Sequence, residues 1–206
     1  MFGGNPMAQN KLTKTAEHLD TFAKVAARIF QIVGIVCLVF ALFIPIVGDA
    51  LFMDGSLTLD LDFLKIHIAD DYEVLSGAMK LYTAIGLITV AVLCFAVWFA
   101  GKIVRNILSP MKQGRPFEAD IPSQLRKIAW LNLICGALLQ IFSSVERLLL
   151  VRAYQMEQIF SSPAVERLEY VFAFDFGFVL ISCVIFFLSY IFSYGQKLQQ
   201  EVDETL

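Results

Sequence analysis

Four long apolar blocks constrain the fold of this chain more than any other feature. Residues 29–48 and 81–101 are uncharged runs of the length that a membrane-spanning helix needs, about 20 residues. The blocks 128–150 and 171–196 complete the set. Backbone polar groups find no partner in hydrocarbon, so such segments cross it as helices. The sequence therefore predicts an all-α membrane protein: one integral membrane domain, residues 1–206, built as a four-transmembrane-helix bundle.

Composition supports this reading, because 58% of the 206 residues are hydrophobic. A soluble domain averages roughly 45–50%. The four cysteines, Cys37, Cys94, Cys135 and Cys183, all lie within the apolar blocks, which is typical of small buried hydrophobic residues rather than of a disulfide framework. A metal site at the first three remains an alternative, although both histidines lie outside the blocks.

The distribution of basic residues predicts which segments face the cytoplasm. The leader 1–28 and the connector 102–127 carry most of the lysines and arginines, whereas the loop 49–80 is strongly acidic. We therefore expect a cell membrane protein with both termini and the connector in the cytoplasm. The leader has apolar residues at helical spacing and is expected to form an amphipathic helix.

The loop 49–80 contains a pattern typical of strands. Apolar and polar residues alternate from Leu57 to Phe63, and Asp54-Gly55 just before them is a hairpin turn signal. We expect a small extracytoplasmic β-hairpin between helices 1 and 2. Asp60 and Asp62 would share one strand face, which is interpreted as solvated, with a weak cation site as the alternative.

The second outer segment, 151–170, is expected to be a helical hairpin. Residues 146–160 continue the helical pattern of the third span, and Ser162-Pro163 has the chemistry of a helix start. Helices 3 and 4 are therefore predicted to project beyond the membrane as an extended antiparallel pair. Near the first span's outer end, Pro45 is expected to kink or close that helix.

Polar residues form one stripe on the third helix and one on the fourth. Their members are Asn132, Gly136, Gln140, Ser143 and Arg147 on the third helix, and Asp175, Ser182, Ser189 and Gln196 on the fourth. We expect the stripes to face each other, with Arg147 or Arg152 paired to Asp175. Two interpretations remain open: packing between small and polar residues, or a polar path that opens to the outside.

Within the connector, Ser109-Pro110 is expected to end the second helix, and Asp120 can cap the third. It contains Gly114-Arg115-Pro116-Phe117, and Leu125-Arg126 follows at the foot of the third span. These motifs, with Tyr194-Gly195 and the ending 198–206, resemble the domain-of-unknown-function family 2975. Glu118 departs from the family pattern, which has Ser or Thr there.

The resemblance implies a bacterial inner-membrane protein with four spans and no known activity. Members of that family often lie beside genes for small helix-turn-helix regulators, which implies membrane-linked control of transcription. Independently of the family, the tail 197–206 carries Glu201, Asp203 and Glu204. We expect its helix to fray at these acidic residues, and the tail to be either a solvated end or a dock for a basic partner.

The sequence contains no phosphate-binding loop, zinc-protease helix or nucleophile elbow, so we expect no enzyme and no cofactor. The leading hypothesis is a non-enzymatic protein that senses or tethers, with the connector and tail holding a cytoplasmic partner such as a small helix-turn-helix regulator. The alternatives are a small oligomeric transporter or permeability factor and a structural subunit of a larger complex. The lipid bilayer is the expected partner, and assembly into a homo-oligomer is left open. The chain is expected to have no nucleic-acid-binding module of its own.

Overall fold

The computed structural model describes residues 6–46, 58–61, 64–67, 75–112, 120–161 and 174–205. In these ranges the helices are α1 (Pro6–Phe43), a 3-10 turn (Ile44–Ile46), α2 (Ser76–Lys112), α3 (Ile121–Ala153), the single-turn α4 (Met156–Ile159) and α5 (Gly177–Thr205). Two strands, β1 (Thr58–Leu61) and β2 (Leu64–His67), lie between α1 and α2.

Four of the helices are long and apolar enough to cross a membrane. The candidate spans are Lys14–Ile46, Ser76–Pro110, Ile121–Ala153 and Gly177–Val202. Large apolar side chains on them are widely exposed, for example Leu42 at 74% and Phe187 at 63%. Exposure on this scale is unfavourable in water, whereas lipid tails cover it without cost. The chain is a multipass membrane protein, as the apolar blocks predict.

α1 is one continuous helix, so the predicted amphipathic leader and the first span form a single element. It ends at Phe43, and Pro45 lies in the 3-10 turn that follows. Of the two predicted effects of Pro45, a kink or the end of the helix, the second is found, because proline cannot donate the backbone hydrogen bond that the next turn needs. At the start of α3, Asp120 Oδ1 accepts a hydrogen bond from the Ser123 backbone N–H at 3.3 Å, which confirms the predicted cap.

Two predicted helix ends are wrong. α2 continues through Pro110 to Lys112, because a proline in the last turn removes only one backbone hydrogen bond. α5 does not fray at Glu201 but continues to Thr205. Extending an existing helix avoids the cost of nucleation, and each carboxylate near the negative end of the helix dipole costs only about 0.3–1 kcal/mol.

The predicted continuation of the third helix through Phe160 is also wrong, since α3 ends at Ala153. Gln155 adopts a left-handed backbone conformation, with φ 44° and ψ 51°, and the chain restarts as α4. The Leu75 N–H donates to the Ala153 carbonyl at 2.9 Å, so a neighbouring segment satisfies an orphan carbonyl at the end of α3. The predicted restart at Ser162-Pro163 and the rest of the helical hairpin lie outside the described residues.

β1 and β2 pair in antiparallel register, with Thr58 opposite His67 and Leu61 opposite Leu64. The Asp54-Gly55 turn signal lies outside the described residues. An isolated pair of four-residue strands has only marginal stability in water. The fold is therefore essentially all-helical. The side chains of this pair, including Asp60, and the residue Asp62 lie outside what the structure describes.

The chain forms two compact units, Met1–Ile35 with Ala91–Leu139 and Phe174–Leu206, and Val36–Val90 with Gln140–Ala173. In the first unit, α1 and α2 approach through small residues. A Cβ added at Gly34 would lie 3.2 Å from the Cys94 side chain, and one at Gly101 would lie 3.2 Å from Ala27. The order of these contacts makes the two segments antiparallel, with a seam of small residues that permits close packing.

The second unit has a small buried cluster formed by Ala78, Ala153 and Tyr154. Met79 and Leu150 pack against it. Burial raises the pKa of the Tyr154 phenol, and the nearby Tyr82 phenol raises it further. The cluster holds the start of α2 against the end of α3, where the Leu75–Ala153 hydrogen bond also lies.

Candidate functional site

The predicted polar stripes meet in the first unit at Asn132 on α3. Its side-chain amide donates one hydrogen bond to the Phe178 carbonyl and a second to Ser182 Oγ, both at 2.9 Å. Ser182 is only 1% exposed. The amide NH₂ group has two hydrogens, and both are used between α3 and α5. These bonds join the two helices within the first unit.

One turn along α3, Gly136 provides the space for Phe178. A Cβ at position 136 would lie 2.5 Å from Phe178 Cβ and closer still to Cγ. The absence of a side chain thus lets the base of Phe178 approach the backbone of α3. The sequence marks Gly136 as a stripe residue, but nothing in it identifies Phe178 as the residue that fills the gap.

A second polar contact joins the foot of α3 to α5. Ser189 is buried, and its hydroxyl donates to the Pro122 carbonyl at 2.7 Å. Here, and in one of the two Asn132 bonds, the acceptor is a backbone carbonyl. Sequence reasoning missed both acceptors, because every residue has a carbonyl and only the packing of helices selects one.

The remaining stripe residues are not part of the contact at Asn132. Asp175 Oδ1 accepts a hydrogen bond from the Gly177 N–H at 2.7 Å and so caps the first turn of α5. Gln140, Ser143 and Arg147 belong to the second unit. The ion pair of Asp175 with Arg147 or Arg152 stays a prediction.

The second unit holds a polar contact that the sequence analysis missed. Thr89 Oγ1 donates a short hydrogen bond to Glu146 Oε1 and also contacts the Ile85 carbonyl of its own helix. Thr89 lies near the middle of the uncharged run 81–101, so this carboxylate reaches into an apolar segment. The sequence analysis left Glu146 out of the polar stripe on the third helix and assigned it no contact. Ionisable residues within spans are rare and often functional.

We expect Thr89→Val to lower the free energy of unfolding by about 1 kcal/mol, the scale of a hydrogen bond between membrane helices. Valine keeps the shape of threonine but leaves the Glu146 carboxylate without this donor. Thr83→Val is the matched control, because Thr83 makes the same bond within α2, to the Met79 carbonyl. Unfolding by titration with a denaturing detergent measures both variants. Equal losses for the two would show that the Thr89–Glu146 bond contributes nothing.

The predicted connector and tail sites are described only in part. Gly114, Arg115, Pro116 and Phe117 lie outside the described residues, whereas Arg126 is exposed in the first turns of α3. Glu201 and Glu204 are exposed on the last turns of α5. Asp203 is on the same helix, and its side chain lies outside what the structure describes.

In the described part of the chain, no group of three or more His, Cys, Asp or Glu side chains is placed to hold a metal ion. Compared with protein-family models, curated proteins and solved structures, the chain matches none of them. The resemblance to the four-span family therefore stays a prediction from the connector and C-terminal motifs.

Proposed function

We propose that the chain is a non-enzymatic membrane protein that tethers a basic cytoplasmic protein through the end of α5. The observation that supports this most is the continuation of α5 as a helix through Glu201 to Thr205. There it presents both apolar and acidic side chains. Leu198 is 45% exposed and Val202 is 56% exposed, while Glu201 and Glu204 are exposed beside them.

The spacing of these residues suits a helix that binds in a groove. Leu198 and Val202 are four residues apart and share one face, as the anchors of groove-binding helices do. The exposed carboxylates of these last turns add to the negative end of the helix dipole, which favours a positively charged partner. Because the segment is already helical, binding requires less ordering of the chain than binding by a frayed tail would.

A small helix-turn-helix regulator has the required chemistry, since proteins that bind DNA carry basic surfaces. The resemblance to the four-span family suggests the same partner. In this proposal both termini and the connector are cytoplasmic, and the regulator is held at the membrane when docked on α5. Release of the regulator would then link an event at the membrane to transcription.

The contacts between α3 and α5 favour tethering over a polar path between these helices. Both donors of the Asn132 amide are used, and Phe178 fills the space beside Gly136. These features are those of tight helix packing. A small transporter remains the second candidate because of the Glu146 carboxylate, and its path would pass Thr89 in the second unit.

The test is recovery of a partner by crosslinking in the native cells, with an N-terminal tag and mass spectrometry. We expect the 206-residue chain to recover a small basic DNA-binding regulator. Glu201→Lys/Glu204→Lys is expected to reduce that recovery about tenfold, because close charge pairs across an interface contribute at least 1.5 kcal/mol or so. The control, Glu17→Lys/Glu157→Lys, changes two exposed carboxylates elsewhere and should recover as much as the unchanged chain.

Equal recovery by all three chains, or recovery of no basic cytoplasmic protein, would remove the tail as the dock. A chain truncated after Gln200 gives an independent measurement, since it lacks the acidic turn altogether. Loss with the double substitution but not with the truncation would indicate that the introduced lysines interfere, and this result would also reject the proposal.

A further inference from the structure

In the first unit, α1 and α2 border an open cavity of about 340 Å³. Four basic side chains line it: Lys24 and Arg28 from α1, and Lys102 and Arg105 from α2. The two pairs are far apart in sequence and are brought together by the antiparallel packing of the helices. Ala27 and Trp98 supply the apolar part of the wall.

Lys102 and Arg105 also line a neighbouring cavity of about 320 Å³, with Asp20, Asn106 and Ser109. Across the described residues that line either cavity, Asp20 is the only acidic one. Arg105 Nε donates to Asp20 Oδ1 at 3.0 Å, which offsets one of the four positive charges and orients the guanidinium. Like charges that converge on one cavity repel each other, so the arrangement favours a bound anion.

Trp98 holds one of these charges in place. The Lys102 ammonium lies 3.6 Å from the centre of the Trp98 ring, within the range of a cation–π contact. Lysine is a compact donor with three hydrogens, and arginine presents a planar set of donors that matches phosphate oxygens. Together the four side chains provide the donors that a phosphate group requires.

The cavity lies at the edge of the apolar spans. Arg28 immediately precedes the uncharged run 29–48, and Lys102 immediately follows the run 81–101. Lipid phosphates lie at this level, with their acyl chains on the apolar side and their headgroups on the other. Trp98 is on the apolar side of Lys102, and Asn106 and Ser109 are on the polar side, where headgroup hydroxyls would lie.

We propose that this cavity is a binding site for a phosphate-bearing anion, with the phosphate held by Lys24, Arg28, Lys102 and Arg105. Two sources share this chemistry: the headgroup of an anionic phospholipid and free phosphate in solution. The site is distinct from the end of α5, so the proposal stands or falls independently of the tethering function.

Trp98 itself reports on the site. The chain has two tryptophans, and Trp130→Phe leaves Trp98 as the sole one while keeping an aromatic ring against Phe186. This variant is placed in phosphatidylcholine nanodiscs doped with either brominated phosphatidylglycerol or brominated phosphatidylcholine. Bromine quenches tryptophan at short range. We expect stronger quenching of Trp98 by the anionic lipid at equal mole fraction.

The decisive comparison is Lys24→Gln/Arg28→Gln, added to the same background. Each basic residue lost is expected to weaken binding of the anionic lipid about fivefold, so the preference for it should disappear. Arg126→Gln/Lys127→Gln is the matched control, because this exposed Arg and Lys immediately precede the 128–150 block and neither lines the cavity. The control should keep the preference.

A further arm adds inorganic phosphate, at constant ionic strength, to the protein in undoped phosphatidylcholine nanodiscs. The site would be assigned to free phosphate by a saturable change of Trp98 emission that is lost in Lys24→Gln/Arg28→Gln. The lipid arm would then show no preference for phosphatidylglycerol. Preference for phosphatidylglycerol alone would assign it to lipid. No response in either arm, or an equal loss in the two double variants, would overturn the proposal.

Discussion

Gly136→Leu is expected to lower the free energy of unfolding by about 3 kcal/mol, the upper end of the usual cost of overpacking. A Cβ at this position would lie 2.5 Å from Phe178 Cβ and closer to Cγ, so it meets the base of that side chain. The Phe178 Cβ is bonded to the backbone of α5 and cannot rotate away. Relief therefore requires α3 and α5 to separate, and this would strain the Asn132 hydrogen bonds one turn away.

Unfolding by titration with a denaturing detergent, followed by circular dichroism, measures this loss. Gly195→Leu is the matched control, because it is on α5 and its added Cβ would meet no other segment of the described chain within 4 Å. Adding Phe178→Ala to Gly136→Leu should recover part of the loss, since ring atoms are among the closest contacts. Equal stability of the Gly136 and Gly195 variants would show that the two helices do not pack closely at Gly136.

The second large effect is expected for Asn132→Leu, with a loss of about 2 kcal/mol in the free energy of unfolding. The substitution removes two hydrogen bonds, each worth on the order of 0.6 to 1.7 kcal/mol between membrane helices. It also leaves the Ser182 hydroxyl, which is 1% exposed, facing a hydrocarbon side chain.

A double-mutant cycle with Ser182→Ala isolates the bond between the two side chains, and we expect a coupling energy of about 0.6 kcal/mol. Ser144→Ala is the control on α3, because that hydroxyl bonds only to the Gln140 carbonyl of its own helix in the described contacts. A coupling energy of zero would mean that Asn132 contributes only through the Phe178 carbonyl. A loss no larger than that of Ser144→Ala would reject both bonds as a source of stability.

The local properties of the sequence are sufficient for the number of spans and for several of their ends. Hydropathy over about 20 residues identifies the apolar segments, since the requirement to cross hydrocarbon applies to each helix separately. Pro45 and Asp120 mark a helix end and a helix start through chemistry that acts within one turn. The stripe spacing also places Asn132 and Ser182 on the faces that meet.

Other features depend on which segments pack together, and only the tertiary structure decides them. The helix α3 stops at Ala153, where Leu75 satisfies its carbonyl, and the Glu146 carboxylate reaches Thr89 inside an apolar run. Asn132 selects the Phe178 carbonyl from among chemically identical groups. Two ordinary pairs of basic residues become one cationic cavity when α1 and α2 pack in antiparallel register. Hydropathy and spacing are properties of one segment, whereas these contacts depend on the register between two segments, which a single helix does not encode.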